Sequence, residues 1–171
     1  MRTLSDILEE KVYSAVNYLL ALKIKPTLKY GKVTDIDEEA IDKLKNELGV
    51  EGIILDVDDT LRKDMRNIPM VNKAWLEKLK QSFKVIVVSN GMDRRISDYF
   101  SELEVGYIEF AHKPLKMNFE KACKRLGISP EKVLVVGDSL FSDILGGNRM
   151  NMKTALIESC DDTKSEEDFS K

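Results

Sequence analysis

The chain contains few of the residues that form disulfide or zinc sites. Among its 171 residues are two cysteines, Cys123 and Cys160, and one histidine, His112. No Cys-x-x-Cys pair or cysteine-histidine spacing occurs, so neither a disulfide framework nor a zinc site is expected, and both cysteines are predicted to be reduced thiols. A single histidine at a strand end is more often structural than chemical, and we expect His112 to be structural.

A strong net charge and long apolar runs are also missing. The formal net charge is -3, and so mild an acidic balance argues against a nucleic-acid partner, which would need a clearly basic face. No apolar run approaches the roughly 18 residues that span a bilayer, and the amino terminus lacks the layout of a signal peptide. We therefore expect a cytoplasmic protein, with a length that fits one domain.

One stretch stands out, Ile-Ile-Leu-Asp-Val-Asp-Asp-Thr-Leu at 53–61. An apolar, β-branched run that ends in acidic residues is typical of a buried parallel strand. Such a strand carries its carboxylates to the carboxyl edge of the sheet, where open α/β sheets bind ligands. Because side chains alternate along a strand, Asp56 and Asp58 should project to one side. Crowded carboxylates repel one another, and oxygen ligands suit Mg²⁺, so a Mg²⁺ site is predicted.

Strand and helix patterns alternate along the chain. Strands are predicted at 52–58, 83–88, 107–111, 133–136 and 155–157, and helices at 4–22, 38–48, 71–81, 94–103, 118–126 and 141–148. This alternation predicts a single Rossmann-like α/β domain of three layers, with a mostly parallel, about five-stranded sheet in the middle. The connections are too short for a cap domain, so the site should be open.

The chain divides into three regions. Residues 1–34 combine an amphipathic helix with a connection and carry six basic and three acidic side chains. This region is expected to be part of the core or to pack on it, and peripheral attachment to an anionic membrane is the alternative. Residues 35–157 form the predicted core, and the polar, acidic tail 158–171 is expected to be disordered.

Polar side chains follow four of the predicted strands. Ser89 and Asn90 follow the second strand, Lys113 the third and Asp138 the fourth. Because the carboxyl ends of parallel strands meet at one edge of a sheet, these side chains should converge on the acids of the first strand.

This set of residues suits phosphoryl transfer. Asp56 can attack phosphorus and form an aspartyl-phosphate, while Asp58 protonates the leaving alkoxide and later activates water. Mg²⁺ would be held by Asp56, Asp138 and the backbone carbonyl of Asp58. The predicted phosphate-binding residues are Ser89, Asn90 and Lys113, and the predicted supporting residues are Asp59, Thr60 and Asp143.

Four segments resemble the ordered motifs of the haloacid dehalogenase (HAD) superfamily. They are Asp-Val-Asp-Asp-Thr at 56–60, Ser-Asn at 89–90, Lys-Pro at 113–114 and Gly-Asp-Ser-Leu-Phe-Ser-Asp at 137–143, in a match over roughly 50–157. The resemblance implies the same nucleophile, acid/base, phosphate ligands and Mg²⁺ ligand, with Asp143 in support. The acid at Asp58 points to phosphatases over dehalogenases, because an alcohol leaving group needs a proton and a halide does not.

A closer resemblance concerns the Val-Thr-Asp-Ile lead-in at 33–36 and the segment 137–149, which are similar to the YqeG-type subfamily of class IIIA phosphatases. Relatives of that subfamily include a mitochondrial phosphatidylglycerophosphate phosphatase, so the resemblance implies this lipid as substrate. The chain departs from the subfamily in two places. Asp59 replaces an asparagine, and Arg62-Lys63-Asp64 replaces an apolar flap with proline and tryptophan.

Several alternatives stay open. An uncapped site could admit a lipid headgroup at a membrane, or a neighbouring subunit of a homo-oligomer could close it. Arg62 and Lys63 would either contact an anionic headgroup or be solvated loop charges. The substrate could instead be a soluble metabolite or sugar phosphate. A non-catalytic module that binds phosphate or Mg²⁺ is the alternative from a different class.

Overall fold

The computed structural model describes residues 24–160. The predicted helix at 4–22 and the tail beyond residue 160 lie outside the described residues. Within this range, no helix is long and apolar enough to cross a membrane.

The centre of the fold is a six-stranded sheet in which all neighbouring strands are parallel, in the order β1-β6-β5-β2-β3-β4. The strands are β1 (Leu28–Tyr30), β2 (Gly52–Leu55), β3 (Lys84–Val88), β4 (Gly106–Ile108), β5 (Val133–Gly137) and β6 (Lys153–Ile157). The helices are α1 (Glu38–Asn46), α2 (Met70–Ser82), α3 (Arg94–Glu102), α4 (Lys116–Leu126) and α5 (Leu145–Arg149). Short 3₁₀ turns lie at Val33–Asp35 and Pro130–Lys132, and a π-helical turn at Leu140–Ile144 precedes α5.

The predicted three-layer α/β domain is confirmed. The core on one sheet face joins strand residues such as Leu55 and Val136 to Leu44 of α1, Leu76 of α2 and Phe100 of α3. The opposite face buries other strand residues against α4, whose Phe119, Ala122 and Leu126 point to the sheet. The two faces of β2 are therefore both covered, which explains its unbroken apolar sequence.

The sixth strand was not predicted. β1 is only three residues long, too short for an alternating pattern to be recognised, and it pairs with β6 from Leu28 opposite Ala155 onward. The amide of Glu158 donates to the carbonyl of Tyr30 at 3.0 Å, so the beginning of the predicted tail is hydrogen bonded to this strand. Residues 28–30, predicted to be part of the N-terminal connection, belong to the sheet.

Short-range contacts define the ends of α1 and the packing of α2. Asp37 caps α1 by accepting a hydrogen bond from the amide of Ala40 at 3.0 Å, and Gly49 follows that helix at a φ of 62°. Trp75 is 7% exposed and its indole N–H donates to the carbonyl of Ile36 at 3.0 Å, as a core anchor should. Because β2, β3, β4 and β5 are parallel neighbours in the sheet, the loops that follow them meet at one sheet edge.

Candidate active site

The centre of this edge is a buried ammonium group between two carboxylates. Asp56 follows β2, Lys113 lies in the loop after β4, and Asp143 lies in the π-helical turn after β5. The Nζ atom of Lys113 donates to Oδ1 of Asp56 and, at 2.6 Å, to Oδ1 of Asp143. All three residues are buried, at 7%, 8% and 1% exposure respectively. Three residues distant in sequence thus form one ionic network.

A third carboxylate joins this network from the end of β5. Oxygens of Asp56, Asp138 and Asp143 lie within 4.8 Å of one another, a grouping that could hold a metal ion. The hydroxyl of Thr60 lies between two of these groups, 3.2 Å from Oδ2 of Asp56 and 3.4 Å from Oδ1 of Asp138. The predicted Mg²⁺ ligands Asp56 and Asp138 are therefore brought together, while the carboxylate of Asp58 lies outside this group.

The electrostatics of this group favour a cation. Burial, with the nearby charge of Asp143, raises the pKa of Asp56 to about 6 despite Lys113. Burial, with the charge of Asp56, likewise raises the pKa of Asp138 to about 6. Burial alone would lower the pKa of Lys113, but Asp56 and Asp143 outweigh it and the pKa is raised. Three carboxylates share one ammonium, so the donor set and its charge fit a divalent ion.

The predicted phosphate-binding residues Ser89, Asn90 and Lys113 line the same cavity. Their hydrogen bonds within the protein differ from one residue to the next. Ser89 is buried, and its hydroxyl oxygen accepts a hydrogen bond from the amide of Gly91 at 3.0 Å. The side chain of Asn90 accepts from the amide of Lys113 at 2.7 Å and donates to its carbonyl at 3.4 Å. Asn90 thus holds the backbone of Lys113. The cavity has a volume of about 100 Å³ and is lined by Asp56, Asp58, Ser89, Asn90, Gly91, Lys113, Asp138, Ser139, Ser142 and Asp143.

Asp58 has a different environment from Asp56. Its Oδ1 atom accepts a hydrogen bond from Nε of Arg62 at 2.8 Å, and Nη1 of Arg62 donates to Oδ2 of Asp93 at 2.7 Å. Neither interpretation of Arg62 from the sequence is correct, because its side chain is 2% exposed and joins two carboxylates. The hydrogen bond from Arg62 lowers the pKa of Asp93 to about 2. Lys63, by contrast, is exposed.

Comparison with known proteins identifies the family. The HAD-hydrolase-like family profile matches residues 110–170. The chain is 37% identical over 118 residues to the "Probable phosphatase YqeG" of Bacillus subtilis (strain 168), in a match that covers 68% of each chain. The chain belongs to the HAD superfamily of phosphatases.

Two further proteins are more distantly similar to the chain. The chain is 28% identical over 103 residues to the glyceraldehyde 3-phosphate phosphatase of Pyrococcus furiosus, covering 55% of this chain and 43% of that protein. It thus matches less than half the length of that relative. A crystal structure of a protein from Listeria monocytogenes serotype 4b has a TM-score of 0.55 at 20% identity, over 67% of this chain and 84% of that one. This second likeness supports the fold alone.

A glycine makes room for Asp143 in this HAD phosphatase. Gly137 ends β5, and a Cβ atom at that position would lie 2.3 Å from Cγ of Asp143. Oδ2 of Asp143 also accepts a hydrogen bond from the amide of Ser139 at 3.2 Å. The carboxylate is therefore packed against the strand end, which aims its other oxygen at Lys113.

The remaining candidates lie at the margin of the site. Asp59 has a φ of 59°, and its amide donates to the carbonyl of Arg62 at 2.7 Å, so its backbone shapes the loop. His112 is exposed, and its carbonyl accepts a hydrogen bond from the amide of Leu115 at 3.0 Å. The structural role expected of its side chain stays a prediction. The supporting role of Asp59 stays a prediction.

Sequence reasoning missed Asp93 altogether. Asp93 caps α3 through Oδ1, which accepts from the amide of Arg95 at 3.0 Å, and its other oxygen binds Arg62. An acidic residue before a helix signals a cap, but nothing in the sequence links it to an arginine 31 positions earlier. Only the spacing of four residues between Asp58 and Arg62 hinted at an ion pair.

Proposed function

We propose that the chain is a Mg²⁺-dependent phosphomonoester hydrolase that works through an aspartyl-phosphate on Asp56. The observation that carries this proposal is the grouping of the buried Asp56 carboxylate with Lys113 and Asp138 in the lining of one cavity. A carboxylate held beside a cation and a metal-binding acid is suited to attack a negatively charged phosphate ester.

The chemistry proceeds in two steps. A carboxylate oxygen of Asp56 attacks phosphorus and forms a P–O bond, while the bond to the leaving oxygen breaks with its electron pair and Asp58 donates a proton to that oxygen. Asp58, now ionised, then takes a proton from a water molecule that attacks the phosphorus. The bond to Asp56 breaks, and inorganic phosphate leaves.

Other residues bind and orient the phosphoryl group. Lys113 and the hydroxyl of Ser89 bind its oxygens, and Asp143 keeps Lys113 in position through the 2.6 Å contact. Asp56, Asp138 and the backbone carbonyl of Asp58 would hold Mg²⁺. When bound, Mg²⁺ supplies the positive charge that lets one anion approach another.

Replacing the nucleophile tests this mechanism. Asp56→Asn should abolish hydrolysis of 4-nitrophenyl phosphate, because an amide cannot form the aspartyl-phosphate. EDTA should abolish the activity of the unaltered protein, and added Mg²⁺ should restore it. Asp98→Asn, at an exposed position of α3, is the matched control and should retain activity. Turnover by a folded Asp56→Asn protein would overturn the mechanism.

For the substrate we favour a phosphorylated lipid headgroup, with phosphatidylglycerophosphate as the candidate from the resemblance. Six apolar side chains, between 38% and 64% exposed, lie in the loops around the cavity or in the helix turn that follows: Met65, Met92, Phe110, Leu115, Met117 and Phe141. Exposed basic side chains stand among them: Lys63, Arg66, Arg94, Arg95, Lys116 and Arg149. We call these twelve residues the rim. Apolar and basic side chains together suit the surface of an anionic membrane.

A soluble phosphate ester is the second candidate, and the similarity to a glyceraldehyde 3-phosphate phosphatase favours it. Phosphate release from phosphatidylglycerophosphate in anionic vesicles should exceed release from glyceraldehyde 3-phosphate. The double variant Phe110→Ser/Leu115→Ser should lower activity on vesicles and leave hydrolysis of 4-nitrophenyl phosphate intact. A strong soluble activity without vesicle activity would reverse the choice. A dimer that these substitutions dissociate would assign the rim to a second copy of the chain.

A further inference from the structure

We propose that Arg62 is a positioning residue that fixes the carboxylate of Asp58 for proton transfer to the leaving group. The inference rests on the proposed function, since it concerns the residue assigned there as acid and base. It goes further by giving a task to an arginine in the short loop after β2, at a position where the chain departs from the YqeG-type pattern.

The backbone first brings Arg62 back beside Asp58. The carbonyl of Val57 accepts hydrogen bonds from the amides of residues 60–62 at distances between 2.8 and 3.3 Å. The amide of Asp59 donates to the carbonyl of Arg62 at 2.7 Å. The backbones of Asp58 and Arg62 also pair as a single parallel β-bridge outside the sheet. The loop is therefore closed on itself, so residues 58 and 62 are neighbours independently of their side chains.

The guanidinium group then joins two carboxylates. Nε donates to Oδ1 of Asp58 at 2.8 Å, and Nη1 donates to Oδ2 of Asp93 at 2.7 Å. Arginine can do this because its planar group carries donors on different nitrogens in a fixed geometry, whereas lysine has a single ammonium. With 2% of its side chain exposed, Arg62 cannot reach a substrate phosphate without losing both contacts. Its position therefore favours a role through Asp58.

Asp93 ties this arrangement to a helix. Oδ1 of Asp93 accepts from the amide of Arg95 at the start of α3, and Oδ2 lies 3.2 Å from Nη2 of Arg95. The chain of contacts from α3 through Asp93 and Arg62 thus ends on Asp58, whose side chain is 37% exposed. Helix α3 thus holds the carboxylate of Asp58, which substrate can still reach.

The two oxygens of Asp58 consequently have different tasks. Oδ1 is held by Arg62, while Oδ2 lies 3.3 Å from the position that a Cβ atom on Gly91 would take. Gly91 lines the cavity together with Asp58. Oδ2 is therefore the oxygen that exchanges the proton with the leaving group and with water. Loss of Arg62 would let the carboxylate rotate away from this orientation.

Two substitutions test the proposal without removing the acid. Arg62→Lys keeps the charge but cannot span both carboxylates, and Asp93→Asn removes the anchor. We compare kcat/KM for phenyl phosphate and 4-nitrophenyl phosphate, which are similar in shape but differ in how much their leaving groups need a proton. Both variants should lose about 10- to 100-fold with phenyl phosphate and no more than about 3-fold with 4-nitrophenyl phosphate. Arg125→Lys, exposed on α4, and Asp98→Asn, exposed on α3, are matched controls.

Equal losses with both substrates would overturn the proposal, because a merely structural arginine would not distinguish leaving groups. Unchanged kcat/KM for phenyl phosphate in either folded variant would also overturn it. Circular dichroism checks the fold, and if one variant fails to fold the other decides. Activity that survives Asp56→Asn would refute the two-step mechanism itself, an outcome separate from either result for Arg62.

Discussion

Asp56 and Asp58 stand two positions apart at the end of one strand, yet their surroundings differ. Asp56 is buried and shares the ammonium of Lys113 with Asp143, close to a third carboxylate on Asp138. Asp58 is partly exposed and bound to Arg62. We call Asp56, Asp138, Asp143 and Lys113 the Asp56 side; here three carboxylates surround one ammonium group. We call Asp58, Asp93, Arg62 and Arg95 the Asp58 side; here each carboxylate contacts a guanidinium group.

The two sides differ in whether the protein's own side chains balance the negative charge. The surplus negative charge around Asp56 raises carboxyl pKa values and leaves a place for a divalent ion. The side of Asp58 is neutralised within the protein by Arg62 and Arg95, which both contact Asp93. We therefore expect the Asp56 side to depend on metal and pH, and the Asp58 side to depend on geometry.

The largest effect is expected from Asp138→Asn, which removes a carboxylate from the Asp56 side. Activity should fall by more than about 100-fold, the upper range for loss of a residue that only supports a metal ligand. The apparent affinity for Mg²⁺, measured by titration of activity or by calorimetry, should fall as well. Asparagine keeps the shape of the side chain and can still accept the hydrogen bond from Thr60, so the fold should persist.

The control for this substitution lies on the other side of the site. Asp93→Asn removes a carboxylate of the same size near Asp58, and it should leave the affinity for Mg²⁺ close to that of the unaltered protein. Equal loss of Mg²⁺ affinity in both variants would show that the two sides are one electrostatic unit and would contradict the comparison.

A smaller effect is expected from steric substitutions at the two glycines that flank these sides. Gly137→Ala places a Cβ atom 2.3 Å from Cγ of buried Asp143, so a strand end or a carboxylate must move. We expect a loss of about 2–3 kcal/mol in the free energy of unfolding, typical of an overpacked site. Urea unfolding measures this loss, and activity should fall as Lys113 loses its support.

Gly91→Ala is the matched substitution beside Asp58. Its Cβ would lie 3.3 Å from Oδ2 of Asp58 and 3.6 Å from the hydroxyl of Ser89, contacts that small shifts can relieve. The expected loss of stability is below about 1 kcal/mol. If Gly91→Ala destabilised the protein as much as Gly137→Ala, the Asp58 side would be as tightly packed as the Asp56 side.

The same comparison separates what the sequence could predict from what it could not. Asp56 and Asp138 directly follow β2 and β5, and Lys113 lies in the loop after β4. Parallel strands bring their carboxyl ends to one edge, so the convergence of these residues was predictable. The network of Arg62 and Asp93 depends on a closed loop and a helix cap. Neither leaves a periodic pattern in the sequence, so Arg62 was wrongly expected to be a headgroup contact or a solvated charge.

The fold shows the same limit. Helices with a cap and an inward stripe, such as α1 behind Asp37, were predictable from local chemistry. β1 was not, because three residues cannot display an alternating pattern and its place depends on pairing with β6, more than a hundred positions later. Asn90 is a related case, since its hydrogen bonds to the backbone of Lys113 could be found only from the folded chain.

The smallest effect concerns the pH dependence of stability in the metal-free protein. The pKa values of Asp56 and Asp138 are raised from 3.8 to about 6, so their favourable contribution is complete below pH 3.8 and is lost as pH rises through about 6. The pKa of Asp93 is lowered to about 2, so its contribution is present above pH 3.8 and is lost as pH falls toward 2. The two sides should therefore respond to pH in opposite directions.

Urea unfolding in EDTA at pH 5 and pH 7 distinguishes them. Asp138→Asn should stabilise the metal-free protein by about 1 kcal/mol at pH 7, a value reduced for partial exposure of the site, and by less at pH 5. Asp93→Asn should destabilise it by a similar amount at both pH values, because this carboxyl is ionised throughout that interval. Mg²⁺ at pH 7 should stabilise the unaltered protein and have less effect on Asp138→Asn. If the stability gain from Asp138→Asn did not grow with pH, ionisation of the carboxyl groups on the Asp56 side would not be what opposes folding. The surplus negative charge would then not indicate a site for a metal ion.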